Sequence, residues 1–131
     1  MLVGLDKQER LFFRLPTALQ VSYRFIPDDP NLGAYLETRR GVVENLSSGG
    51  LLMRTEEPPV ELVGDLLSGR VVLAVQLELP DGPLDALARV VWIEGEGRIG
   101  SEVRMGLGFQ EITSPDRDRI TRAVIEAFAP R

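Results

Sequence analysis

The segment Arg70-Val71-Val72-Leu73-Ala74-Val75-Gln76-Leu77-Glu78-Leu79 is followed by Pro80-Asp81-Gly82-Pro83 and then by Leu84-Asp85-Ala86-Leu87-Ala88-Arg89-Val90-Val91-Trp92-Ile93. Val71, Leu73, Val75, Leu77 and Leu79 recur at every second position, as do Leu84, Ala86, Ala88, Val90 and Trp92. A period of two puts each set on one face of an extended chain. The Pro-Asp-Gly-Pro run between them is turn chemistry. Both segments are therefore read as half-buried strands, with Trp92 among the core-facing residues.

The same reading extends outward in both directions. Leu19, Val21, Tyr23 and Phe25 alternate with Gln20, Ser22 and Arg24, which predicts a strand over Leu19–Phe25. Turn formers crowd the loop from Pro27 to Gly33, and Gly41–Leu46 and Gly50–Thr55 then read as two strands around a polar turn. Glu56, Glu57, Pro58 and Pro59 interrupt the pattern. Arg104–Ile112 supplies a sixth strand through Met105, Leu107 and Phe109. Short antiparallel strands with close turn signals, and no helical period between them, predict a mainly β, six-stranded antiparallel barrel over 15–112. Closure also removes exposed sheet edges.

The two ends read differently. In 113–131, Ser114 is the predicted cap of a C-terminal helix, with Pro115 at its first position and Asp116 and Asp118 in its first turn. Its apolar stripe is Ile120, Ala123, Val124, Ala127 and Phe128, expected to pack on the barrel or on a second copy as a homodimer. Residues 1–14 follow neither period, with Asp6, Lys7, Gln8, Glu9 and Arg10 preceding Leu11, Phe12 and Phe13. They are read as a mobile N-terminal arm.

Composition restricts the chemistry. The 131 residues contain no cysteine and no histidine, so disulfides, thiol nucleophiles, zinc fingers and imidazole-based catalysis or metal binding are not expected. The adjacent carboxylates Asp28-Asp29 and Glu56-Glu57 sit beside prolines and read as solvated loops rather than an acid/base pair. No catalytic residue and no metal ligand is assigned. The net charge of −5 disfavours long nucleic acid as a partner. No apolar run reaches membrane-span length and no signal-peptide pattern opens the chain, so no membrane insertion and a cytoplasmic location are expected.

Two short patterns carry the functional reading. Arg10 and Arg14 form R-x-x-x-R, and fourteen arginines in the chain would give roughly 1.5 such pairs by chance. Asn45, Ser47 and Gly50 form [DN]-x-S-x-x-G, for which the chance count is roughly 0.04. An arginine fork matches O6 and N7 of guanine and pairs equally with a phosphodiester. Asn45 offers a donor and an acceptor to a base edge, Ser47 a small hydroxyl, and Gly49 with Gly50 leaves a ligand room to approach the backbone.

The order of these patterns, arginines before the first strand and the Asn-Ser-Gly set between the next two, resembles the PilZ domain, a bacterial receptor module for cyclic di-GMP. The resemblance runs from about Gln8 to Phe128, with softer matches at Ala88-Arg89-Val90-Val91-Trp92 and Gly106-Leu107-Gly108-Phe109. It implies that Arg10 and Arg14 contact guanine and phosphate, that Asn45 and Ser47 bond the ligand from the barrel, and that Gly50 shapes the turn. Glu9 stands where members that take a stacked ligand pair often carry another arginine, which leaves one or two ligand molecules per chain open. Glu9 and Gly49 are secondary contact candidates. Phe12 and Phe13 are expected to seat the arm on the barrel, and Arg39 and Arg40 read as solvated charges. The implied function is that of a non-enzymatic cyclic di-GMP receptor passing its signal to a downstream protein. The alternative is a PilZ-fold interaction protein of pilus or motility assembly that binds no ligand.

Overall fold

A computed structural model describes residues 15–28, 37–95 and 101–128. Within them the strands are β1 (Leu15–Pro27), β2 (Arg39–Ser47), β3 (Gly50–Glu56), β4 (Val71–Leu79), β5 (Gly82–Gly95) and β6 (Glu102–Glu111). They close into one antiparallel barrel in the order β1-β2-β3-β6-β5-β4. The expected six-stranded barrel is thus the fold, with strand ends mostly within a few residues of the segments that alternation marked.

Alternation fills the interior as predicted for most strands. Val21, Tyr23 and Phe25 of β1 and Val71, Leu73, Val75, Leu77 and Leu79 of β4 are all buried. Three buried or half-buried polar groups are chained among them. The Thr55 hydroxyl donates to the Arg40 carbonyl at 3.0 Å, so Tyr23 donates its phenol proton to Thr55 at 2.7 Å. Arg39 Nε donates to the Tyr23 oxygen at 3.2 Å. Each hydroxyl donates once and accepts once, which is why Thr55 can sit in the core.

Three predictions need correction. A 3-10 turn (Val60–Leu62) runs into a short helix, α1 (Val63–Ser68), between β3 and β4, where no helix was expected. Leu62 and Leu66, four residues apart on one face, are both buried in the core. Gly69 ends the helix at φ 83°, with its N–H bonded to the Leu66 carbonyl at 3.2 Å. Six helical residues are too few to show a period of 3.6.

The second correction concerns Trp92. The β5–β6 register shifts between Val90, paired with Leu107, and Trp92, paired with Gly106. Val91 is the extra residue of this bulge, and a bulge reverses which face the following side chains occupy. Trp92 is consequently 40% exposed rather than buried, beside Val91 at 64%.

The C-terminal helix, α2 (Ser114–Phe128), is present, but its cap is Thr113. The Thr113 hydroxyl accepts the Asp116 N–H at 3.2 Å and its carbonyl accepts the Arg117 N–H at 2.9 Å. Ser114 is thus the first helical residue and Pro115 the second. Ile120 and Val124 are fully buried in the barrel's own core. Of the two expected partners for the stripe, the barrel covers its centre. Arg119 fixes the helix to the β4–β5 turn, donating to Asp81 at 2.8 Å, to the Gly82 carbonyl at 2.8 Å and to the Pro83 carbonyl at 3.0 Å.

Candidate functional site

The β2–β3 hairpin carries the Asn-Ser-Gly set. Ser47 pairs with Gly50 across a loop of Ser48 and Gly49. The Ser47 hydroxyl accepts the Gly49 N–H and donates to the Gly50 carbonyl, both at 3.3 Å. The Gly49 carbonyl in turn accepts the Phe109 N–H at 2.9 Å, which ties the loop to β6. Ser47 is thus a turn-forming residue in this state.

Asn45 stands apart from that network. A register shift between Val43 and Asn45 lets Glu44 and Asn45 both leave the core side of β2. Glu44 is taken by Arg104 at 3.0 Å and Arg54 at 3.3 Å. The half-buried Asn45 side chain has no hydrogen-bond partner among the described residues. Its amide is free to accept and donate.

Gly50 has a structural task. A Cβ built on it would lie 2.0 Å from the Leu107 carbonyl oxygen, so only glycine lets β3 meet β6 at the Gly50–Gly108 pair. Gly49 is exposed, and a Cβ there would meet nothing within 4 Å.

Asn45, Ser47, Gly49 and Gly50 line one groove of about 330 Å3, whose opposite wall is Val91 and Trp92. Its floor is β6 at Gly106, where a Cβ would come within 2.3 Å of Trp92 Nε1. The indole rests on a position left bare of side chain. Reading the sequence placed Trp92 in the core; the available signal was Gly106 and Gly108 alternating with Leu107 opposite an aromatic residue. A larger concavity of about 900 Å3 lies over β1, β4 and β5 and holds none of the predicted residues.

The start of β1 lies beside this groove. Leu15, the residue after Arg14, is in register with Leu46, and Pro16 with Asn45. Glu9, Arg10 and Arg14, with the arm they were assigned to, lie outside the described residues. Arg39 is at the other end of β2, about 26 Å from Ser47 along an extended strand. It donates to the Glu57 carbonyl at 3.0 Å and lies 5.4 Å over the Phe25 ring, so it is a structural residue.

Among the described residues, the ionisable groups with displaced pKa values are Asp81, lowered chiefly by its hydrogen bond from Arg119, and Arg119, raised by Asp81 and Asp116. Both belong to the helix anchor. Among the described residues, no group of His, Cys, Asp or Glu could hold a metal ion. No described helix is long and apolar enough to cross a membrane.

Fold and groove together define a closed six-stranded β-barrel with a polar hairpin facing an exposed aromatic across bare glycine backbone. The chain belongs to the PilZ domain family, whose model matches residues 8–126. Solved structures agree on the fold. The Bacillus subtilis inhibitor of motility, MotI/DgrA, aligns at a TM-score of 0.63 and 20% identity over 90% of this chain, which spans 50% of that protein. The PilZ domain of CeSA from a cellulose-synthesizing bacterium gives 0.58 at 21% identity over 88% of this chain and 98% of that one. The PilZ domain of Escherichia coli YcgR, solved with c-di-GMP, gives 0.59 at 16% identity over 91% of both chains. A comparison with curated proteins returned no match.

Proposed function

We propose that this chain is a cyclic di-GMP receptor that holds the dinucleotide between the Asn45-to-Gly50 hairpin and Trp92, with Arg10 and Arg14 closing on it from the preceding segment. The observation that carries this reading is the free Asn45 amide facing an exposed indole across one groove. A guanine entering there stacks on Trp92 and bonds its edge to Asn45. Ser47 keeps the hairpin in shape, and rotation of its hydroxyl supplies a further bond to the ligand. The Leu15–Leu46 register sets the start of β1 beside the hairpin, and in this reading the two arginines reach the ligand from there. Family membership and the c-di-GMP in the YcgR structure support the ligand's identity.

The receptor acts without catalysis, in the cytoplasm. Ordering of the arginine segment over the ligand creates a new surface, which a downstream protein reads. Calorimetric titration of the protein with cyclic di-GMP, beside Arg14→Ala and Asn45→Ala, tests the reading. Saturable binding weakened in both variants is the expected result. Absence of heat from the unsubstituted protein at high ligand concentration would overturn it in favour of the interaction protein without a ligand.

A further inference from the structure

Arg39, Arg54, Arg70, Arg104 and Arg119 are each held by an acidic side chain or a backbone carbonyl. Arg89 is exposed on β5 and, like Arg24, Arg40 and Arg117, has no side-chain hydrogen-bond or ion-pair partner among the described residues. Its placement is specific. Gly108 pairs with Gly50 on one side and with Arg89 on the other, so the three form one row across β3, β6 and β5. At about 4.8 Å per strand, Arg89 lies roughly 10 Å from Gly50. The two glycines keep the intervening surface free of side chains.

A further concavity, about 460 Å3, contains Arg89, Gly69, Gly108 and Phe109, and it meets the hairpin groove at Val91, which lines both. The two are halves of one trough along β5, with Trp92 in one half and Arg89 in the other. The guanidinium lies on the α1 terminus: a Cβ at Gly69 would be 3.1 Å from Arg89 Nε and 3.3 Å from Cζ. The Gly69 turn thus supports an arginine that no carboxylate of the described residues neutralises.

We infer that Arg89 is a third arginine contact for the ligand, donating its planar fork to the phosphodiester on the half of the cyclic dinucleotide farther from Asn45. This rests on the proposed cyclic di-GMP reading and adds a contact that the two short motifs do not contain. A ligand stacked on Trp92 extends along the trough toward Arg89, the only cation lining it among the described residues.

The test is calorimetric titration with cyclic di-GMP of the unsubstituted protein, Arg89→Ala, Arg89→Gln, Arg89→Lys and Arg70→Ala, with a thermal melt of each ligand-free protein. Arg89→Gln keeps part of the packing over Gly69 and removes the charge. Arg70→Ala removes one exposed cation outside the trough. The expected result is a loss of about ten- to hundredfold in affinity for Arg89→Ala and Arg89→Gln, partial recovery in Arg89→Lys, and no change in Arg70→Ala. Unchanged affinity in Arg89→Gln overturns the inference, as does an equal loss in Arg70→Ala, which would mark a general charge effect. If the unsubstituted protein gives no binding, the receptor reading fails and this contact falls with it. If it binds and only the Arg89 contrast is absent, the receptor reading stands alone.

Discussion

The indole of Trp92 occupies the space where a side chain on Gly106 would begin, with Nε1 only 2.3 Å from the ideal Cβ position. An alanine at 106 must push the ring off β6 and out of the groove wall. Trp92 is the only tryptophan of the chain, so its emission reports on the groove without labelling. We expect cyclic di-GMP to change that emission in the unsubstituted protein. Gly106→Ala is expected to shift the ligand-free spectrum and to weaken binding by the worth of one stacked base, about 1–3 kcal/mol. Fluorescence titration measures both, and a Gly106→Ala protein that binds normally would remove Trp92 from the site.

The two glycines of the hairpin separate structure from binding. Gly50→Ala drives a methyl into the Leu107 carbonyl and breaks the β3–β6 contact. It should lower stability by about 1–3 kcal/mol or more, read as a lower urea midpoint. Gly49→Ala has free space and should melt as the unsubstituted protein does. Any effect of Gly49→Ala in a cyclic di-GMP titration is then an effect on the ligand's approach to the backbone.

Much of this architecture was legible in the sequence because period-two burial is local. Val71 to Leu79 alternate without a bulge, and every predicted core residue there is buried. Trp92 was misread because the Val91 insertion that turns it outward depends on register against β6, a partner ten or more residues away. Leu62 and Leu66 plug the barrel only because the chain must cross from β3 to β4, which no window of six residues reveals. The Asn45-to-Gly50 pattern could be located from spacing, but not its division of labour. That Ser47 builds the turn while Asn45 stays free follows from the bulge after Val43 and from the geometry of the loop. The arginines of the other motif lie outside the described residues and remain part of the proposal.

The Arg119 anchor predicts an acid response. Arg119 holds the Asp81 carboxyl below its ordinary value of 3.8. A lowered pKa in the folded state means that the pair's contribution is present above that ordinary value and disappears as the pH falls through the lowered one. Asp81 is 63% exposed at the side chain, so the contribution is modest and salt-sensitive. Asp81→Asn should melt at a lower temperature than the unsubstituted protein at neutral pH, and the difference should shrink toward zero in strong acid. Thermal melts across pH test this, and a constant difference would show that Asp81 acts through packing alone.

Tyr23 makes the strongest demand on the polar chain inside the barrel. Its oxygen accepts from Arg39 and its proton goes to Thr55, while Thr55 donates onward to the Arg40 carbonyl. Tyr23→Phe leaves the ring packed edge-on against Phe25, 5.6 Å between centroids, and removes only the hydroxyl. Thr55 then loses its donor, and Arg39 keeps its carbonyl contacts on Glu56 and Glu57. The expected cost is about 1–3 kcal/mol, that of leaving one buried polar group unsatisfied. Replacing Thr55 as well, as Tyr23→Phe with Thr55→Val, removes the orphaned hydroxyl together with its partner. The double variant should therefore be less destabilised than the sum of the two single ones in a denaturant cycle. Strict additivity would show that the two hydroxyls do not act as one chain.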